Sequence, residues 1–204
     1  MVIDHIGYKF FPEGTVTYEI MRDIGRVAYP MFAFLIAHNF LFYSRNHTNY
    51  LKRILLLALI SEYPHHIYFP DHHTTSIMFT LALGVSAMII AEKEKSKVVA
   101  FTAYIFMIFI SFFTEYPLLG FILILSFYVS LQKKSLIYWA VTFLVAFLMN
   151  FDQWDRAIVS ALAVLIPFAV SKLDISIPRM NKWAFYFFYP VHFLVLLVVY
   201  HYYS

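Results

Sequence analysis

The sequence predicts an all-α, polytopic integral membrane protein of about eight transmembrane helices, a single domain over residues 1–204. Three observations carry that expectation. Of the 204 residues, 62% are apolar and only 13% are charged, against about 25% charge in a soluble domain. The apolar residues fall into runs of roughly 15 to 20 between short polar breaks, close to what a helix needs to cross about 30 Å of hydrocarbon. Positive charge is sorted between alternate breaks.

The runs lie at about 27–43, 53–69, 75–91, 98–113, 117–131, 136–150, 156–171 and 183–203. None alternates as a barrel strand must, so closed helices have to satisfy the backbone in lipid. Several are short for a full crossing, which predicts tilt or local thinning. The first 25 residues include Asp4, Lys9, Glu13, Glu19, Arg22 and Asp23 without an apolar core, so they do not read as a cleavable signal peptide.

The breaks 44–52, 92–97, 132–135 and 172–182, with the residues bordering them, hold Arg45, Lys52, Arg53, Lys93, Lys95, Lys97, Lys133, Lys134, Lys172, Arg179 and Lys182. These are 11 of the 15 Lys and Arg. The positive-inside rule makes that side cytoplasmic and the location a plasma or inner membrane. The other side collects Asp4, His5, Glu62, His65, His66, Asp71, His72, His73, Glu115, Asp152 and Asp155. Both termini fall on this outer side. The chain has no cysteine, which excludes disulfides, thiolate metal sites and cysteine nucleophiles.

Four stretches could carry chemistry. Arg22 and Arg26 share a face if helical; Arg26 either snorkels to headgroups or is packed against an anion such as Asp4 or Glu62. Glu62 stands near the outer end of a span, just before the helix-breaking Pro64, with His65 and His66 within a turn. His65, His66, Asp71, His72 and His73 are suitable metal ligands by type, but adjacent doublets lack the spacing that sets two imidazoles on one helix face. A hydrogen-bonding loop is the expectation there, with no metal site. In the last run, Pro190 and His192 belong either to a kinked cavity lining or to an interfacial aromatic belt. Asp4 and His5 point about 100° apart on a helix. They are solvated tail residues, or a turn near Gly7 and Pro12 joins them, or each has a partner elsewhere.

In order along the chain come "DHIG" (4–7), "IGRVAYPMFAF" (24–34), "YLKR" (50–53), "LISEYP" (59–64), "FTLALG" (79–84) and "FYPVH" (188–192). Together these resemble the TraX family of F-pilin acetylase-like membrane acyltransferases. The resemblance covers most of the chain. It implies an enzyme that takes an acyl group, acetyl above all, from cytosolic acyl-CoA and passes it to an amine or hydroxyl reached from the far side of the membrane. The acceptor class is a peptide such as a pilin N-terminus, a glycan or a lipid; nucleic acid is not an expected partner. The family positions map to Asp4, His5, Arg26, Glu62, Thr80, Tyr189 and His192. Three departures stand out. The family has an apolar span just before its Asp-His pair, which suggests a further helix upstream. "HHIYF" is less apolar than usual, and Pro117 occupies a glycine position.

Acyl transfer from a thioester needs a base, an oxyanion partner and exclusion of water. His5 is the candidate base, because an unperturbed imidazole titrates near working pH. Asp4 orients it or holds Arg26, and Glu62 positions His5 or the acceptor. Arg26 or Thr80 meets the oxyanion, and Arg45, Lys52 and Arg53 suit the CoA phosphates. The competing reading is a proton- or metal-linked transporter built on the outer histidines and carboxylates.

Overall fold

A computed structural model describes residues 1–70, 74–173 and 182–203, with side chains in the last stretch described from Phe187 to Tyr202. Eleven helices account for most of them: α1 (Val2–Phe10), α2 (Val16–Gly25), α3 (Ala28–Phe42), α4 (His47–Tyr68), α5 (Ile77–Lys93), α6 (Lys97–Ser111), α7 (Leu118–Lys133), α8 (Leu136–Leu148), α9 (Trp154–Ala163), α10 (Leu165–Lys172) and α11 (Lys182–Tyr203). The all-α expectation holds among the described residues. A helix occupies each of the eight apolar runs, the seventh being divided at Val164 into α9 and α10.

Local chemistry sets the boundaries. Side chains of Thr15, Asn46 and Ser96 accept the N–H of Tyr18, Asn49 and Val99 (3.3, 2.9 and 3.4 Å). These are N-cap bonds that satisfy amides lacking an intrahelical partner. Phe11 is extended, as the proline that follows favours, so α1 stops at Phe10. Gly7 lies inside α1 and makes no break. Lys134 ends α7 in the left-handed conformation (φ 51°), a common helix stop.

The chain tail expected before residue 27 is instead two short amphipathic helices. α1 packs against α2 and α11, and α11 against α4. Glycine makes the first contact close: a Cβ on Gly7 would sit 2.8 Å from Met21 Cβ, and one on Gly25 would collide with Asp4. The central core is built by α3, α4, α5 and α7, with Tyr29, Ala33, Ala37, Phe40, Leu81, Val85, Ile124 and Phe127 nearly or fully excluded from solvent.

Two helical stretches are long and apolar enough to cross a membrane, Val16–Phe42 and Trp154–Lys172. Lys97–Ser111, Leu118–Lys133, Leu136–Leu148 and Phe187–Tyr202 are apolar but shorter.

The two ends of the bundle differ in chemistry. At one, His47 Nδ1 meets Glu92 Oε2 at 3.1 Å, joining the start of α4 to the end of α5. There Lys172 also donates to the Lys134 carbonyl at 3.4 Å. At the other, Thr75 and Thr114 form an isolated bridge between the α4–α5 and α6–α7 connections. Arg156 (α9) reaches Glu19 at 2.7 Å and Asp23 at 3.5 Å, both on α2.

Candidate functional site

His5 is buried, and four rings surround it. Tyr68, Phe69, His192 and Phe193 have centroids 5.6, 5.3, 5.1 and 4.8 Å from its own. Its Nδ1 lies 3.0 Å from His192 Nε2, a pairing of residues at opposite ends of the chain. The Tyr68 hydroxyl donates to the His5 carbonyl at 2.7 Å, a helical carbonyl in the α1 turn. Asp4 and His5 lie on one continuous helix, and Asp4 Oδ2 stands 4.0 Å from His5 Nε2, beyond a hydrogen bond but within strong electrostatic reach.

Asp4 is held by Arg22, not by Arg26: Asp4 Oδ1 and Arg22 NH1 are 2.9 Å apart. Arg26 caps α2 with helical backbone angles four residues after Arg22, and both cations act on Glu115. Arg26 turns toward Tyr116, with Asp4 and Glu115 also close enough to act on its charge. Tyr116 stacks on Tyr29 at 4.0 Å between centroids.

Glu62 takes a different place from the one expected. Its Oε2 accepts the Ser76 N–H (3.1 Å) and its Oε1 faces His66 Nε2 (3.1 Å). Glu115 does the matching job one residue on, accepting the Ile77 N–H at 3.0 Å. Two carboxylates thus meet the N-terminal amides of α5, where the helix dipole favours negative charge. Glu115 lies in the α6–α7 connection, and its carboxyl is raised to about 7, first by burial and then by Asp4, with the Ile77 N–H, Arg26 and Arg22 pulling the other way. The same burial pushes the Tyr116 phenol up to about 12.

His65 and His66 serve separate carboxylates. His65 is completely buried, 3.8 Å from Glu115 Oε2, and shares the Phe69 and Phe193 walls with His5 (5.3 and 5.8 Å). Asp71, His72, His73 and Arg179 lie outside the described residues, as does the side chain of Lys182. Thr80 is fully buried, and its hydroxyl has no hydrogen-bond partner among the described residues. Tyr189 is buried beside Ser76 and faces Glu115, Tyr116 and Glu62.

Arg45, Lys52 and Arg53 come together elsewhere. They line a cleft of about 740 Å³ with Tyr43, Ser44, Asn46 and Asn49, and no acidic residue contributes to its walls. The cleft sits at the start of α4, and His65 near its end. Arg53 and His65 are twelve positions apart, about 18 Å at 1.5 Å per residue.

Of the expected residues, the fold brings Asp4, His5, Arg26 and His192 to one end of the bundle and sets Arg45 and Arg53 in a separate cleft. Glu62 and Tyr189 stand beside the first group at the α5 N-terminus. Sequence reasoning missed Arg22 as the partner of Asp4, Glu115 as the second cap, and the Tyr68, Phe69 and Phe193 walls. Glu115 carried a signal: an acid between two apolar runs, on the same side as two arginines.

The fold and site define a class: a helical bundle with two membrane-length apolar stretches and a buried His–His pair backed by an Asp–Arg ion pair. Within that class, the family model for TraX protein matches residues 1–200. The chain belongs to the TraX family. A probable fimbrial assembly protein FimC, serogroup H1, of Dichelobacter nodosus is 27% identical over 224 residues, covering 96% of this chain and 89% of that protein. An uncharacterised protein of Rickettsia prowazekii (strain Madrid E) is 39% identical over 84 residues, 41% of this chain and 30% of that one. No solved structure matches.

Proposed function

We propose that this protein is a multi-span membrane acyltransferase that moves an acetyl group from acetyl-CoA to an amine or hydroxyl on an acceptor at the outer face. The observation that carries the reading is the buried imidazole of His5, beside an anchored carboxylate, in a chain of the TraX family. All eight apolar runs cross the bilayer in this reading, with the basic end cytoplasmic. Exposed apolar side chains support it: Phe101, Phe106, Ile137 and Val198 are each more than 60% exposed. So much large apolar surface marks contact with a nonaqueous partner.

The chemistry balances without a resident cofactor. His5 takes a proton from the acceptor N–H or O–H as the acceptor bonds to the thioester carbon. Asp4, pinned by Arg22, stabilises the imidazolium that forms. Arg26 or the unpartnered Thr80 hydroxyl faces the oxyanion, where preorganised donors act most strongly. The C–S bond then breaks, and the departing sulfur takes the proton from His5. Arg45, Lys52 and Arg53 hold the nucleotide phosphates, and the pantetheine arm spans the distance to His5. A fimbrial subunit is a natural acceptor, given the name of the Dichelobacter relative, and a surface glycan or lipid is the other choice.

The test is purified protein in nanodiscs with radiolabelled acetyl-CoA and peptide, glycan or lipid acceptors. Wild type should transfer label, and His5→Ala should lose about 10²-fold or more, the usual worth of a general base. Undiminished transfer by that variant removes His5 from the mechanism. Proton or metal-ion uptake by proteoliposomes without CoA dependence would favour a transporter instead.

A further inference from the structure

His192 has a role that residue spacing does not reveal, and hydrogen-bond direction exposes it. Its Nδ1 lies 3.1 Å from the Phe188 carbonyl. A carbonyl oxygen only accepts, so His192 Nδ1 must carry the hydrogen. In neutral His192 this leaves Nε2 as a lone pair. That lone pair faces His5 Nδ1 at 3.0 Å, so His5 Nδ1 must be the donor. Neutral His5 then has its own lone pair on Nε2, the nitrogen that faces Asp4 at 4.0 Å.

We infer that His192 is the positioning residue that fixes the tautomer of His5, leaving Nε2 as the basic nitrogen. In a hydrogen-bonded His–Asp pair the carboxylate sets the tautomer; here Asp4 is too far away and already bonded to Arg22. The second imidazole takes that task, and the Phe188 backbone in turn orients it. The arrangement has a consequence for turnover. When His5 gains a proton at Nε2, its Nδ1–H bond to His192 is unchanged, so no ring has to rotate. The new N–H points toward Asp4, and Asp4 stabilises charge without having to accept a proton. The packing agrees: the two rings lie nearly parallel, 15° apart, and Phe193 contacts both, with centroids at 4.8 and 4.1 Å.

The proton transfer in this inference rests on the acyl-transfer reading, but the tautomer does not. Protein labelled with ¹⁵N-histidine, in detergent or nanodiscs near pH 8, should show His5 protonated on Nδ1 and bare on Nε2. A wild-type His5 protonated on Nε2 would overturn the inference whatever the protein catalyses. His192→Phe keeps an aromatic ring but cannot accept; it should cut kcat about 10²-fold with little change in KM for acetyl-CoA. His192→Gln offers a carbonyl acceptor at similar reach and should recover most of that loss. Equal kcat in wild type and His192→Phe would overturn the positioning role. The expected His5 tautomer in wild-type protein that transfers no acetyl group would support the imidazole relay and remove acyl transfer as its purpose.

Discussion

Asp4 joins α1 to α2 through a 2.9 Å ion pair with Arg22, while its other oxygen faces His5. One carboxylate therefore both fastens the N-terminal hairpin and sets the field at the imidazole. Both side chains are largely buried, about 15% exposed. Removing one partner of such a pair strands the other, at about 3–5 kcal/mol. Arg22→Leu should lower stability by that order in detergent unfolding. The double variant Asp4→Asn with Arg22→Leu should regain part of the loss but none of the activity. Strictly additive losses in the double-mutant cycle would show that the pair contributes no coupling.

Gly25 controls the same geometry by leaving space. Its Cα lies where any added methyl would meet the Asp4 side chain, so Gly25→Ala must push α1 away from α2. Overpacking of this kind costs about 1–3 kcal/mol, and here the displaced group carries His5 with it. The expected result is a drop in kcat larger than the stability loss explains, read by comparing activity at a temperature where the variant is fully folded.

Legibility in the sequence followed the range of the interactions. The eight apolar runs announced helices because hydrophobic length is a local property. α1 and α2 stayed hidden: each is about ten residues with charges on one face, and such a segment becomes helical only when a neighbour covers its other face. The His5–His192 contact joins residues 187 positions apart, and no spacing rule reaches that far. Arg22 and Arg26, four apart, were legible as neighbours, but that Arg22 rather than Arg26 holds Asp4 follows only from how α1 lies on α2. Glu62 was expected to position His5 or the acceptor. That its partners are a backbone amide of the α4–α5 connection and His66 follows only from the fold.

The basic cleft should behave as a site of binding rather than chemistry. Arg45→Gln and Arg53→Gln each remove a charge from an acid-free wall. A hydrogen bond to a charged group is worth about 1.5–3 kcal/mol, so KM for acetyl-CoA should rise about tenfold or more in each. If the lost interaction is uniform between ground and transition states, kcat stays unchanged. Transfer from S-acetyl-pantetheine, which lacks the nucleotide, should not respond to either change. An equal effect on both donors would show that the arginines act through the fold.

Glu115 predicts a pH dependence of stability that has a definite sign. Its carboxyl titrates near 7 in the folded protein and near the ordinary 4.5 when unfolded. Between those values the folded state keeps a proton that the unfolded state releases. Stability is therefore greatest below about 4.5, falls as pH rises through the window, and levels off above about 7. Glu115→Gln keeps an oxygen for the Ile77 N–H but carries no titrating group. The difference in Tm between the variant and wild type should therefore move in favour of the variant from pH 5 to pH 8. The loop that bears Glu115 is bonded to Thr75 through the Glu115 and Thr75 amides, each at 2.9 Å, so loosening at high pH should also raise hydrogen exchange there. A Tm difference that stays constant from pH 5 to pH 8 would mean that Glu115 is ionised throughout, held down by Arg26 and Arg22 more strongly than burial raises it.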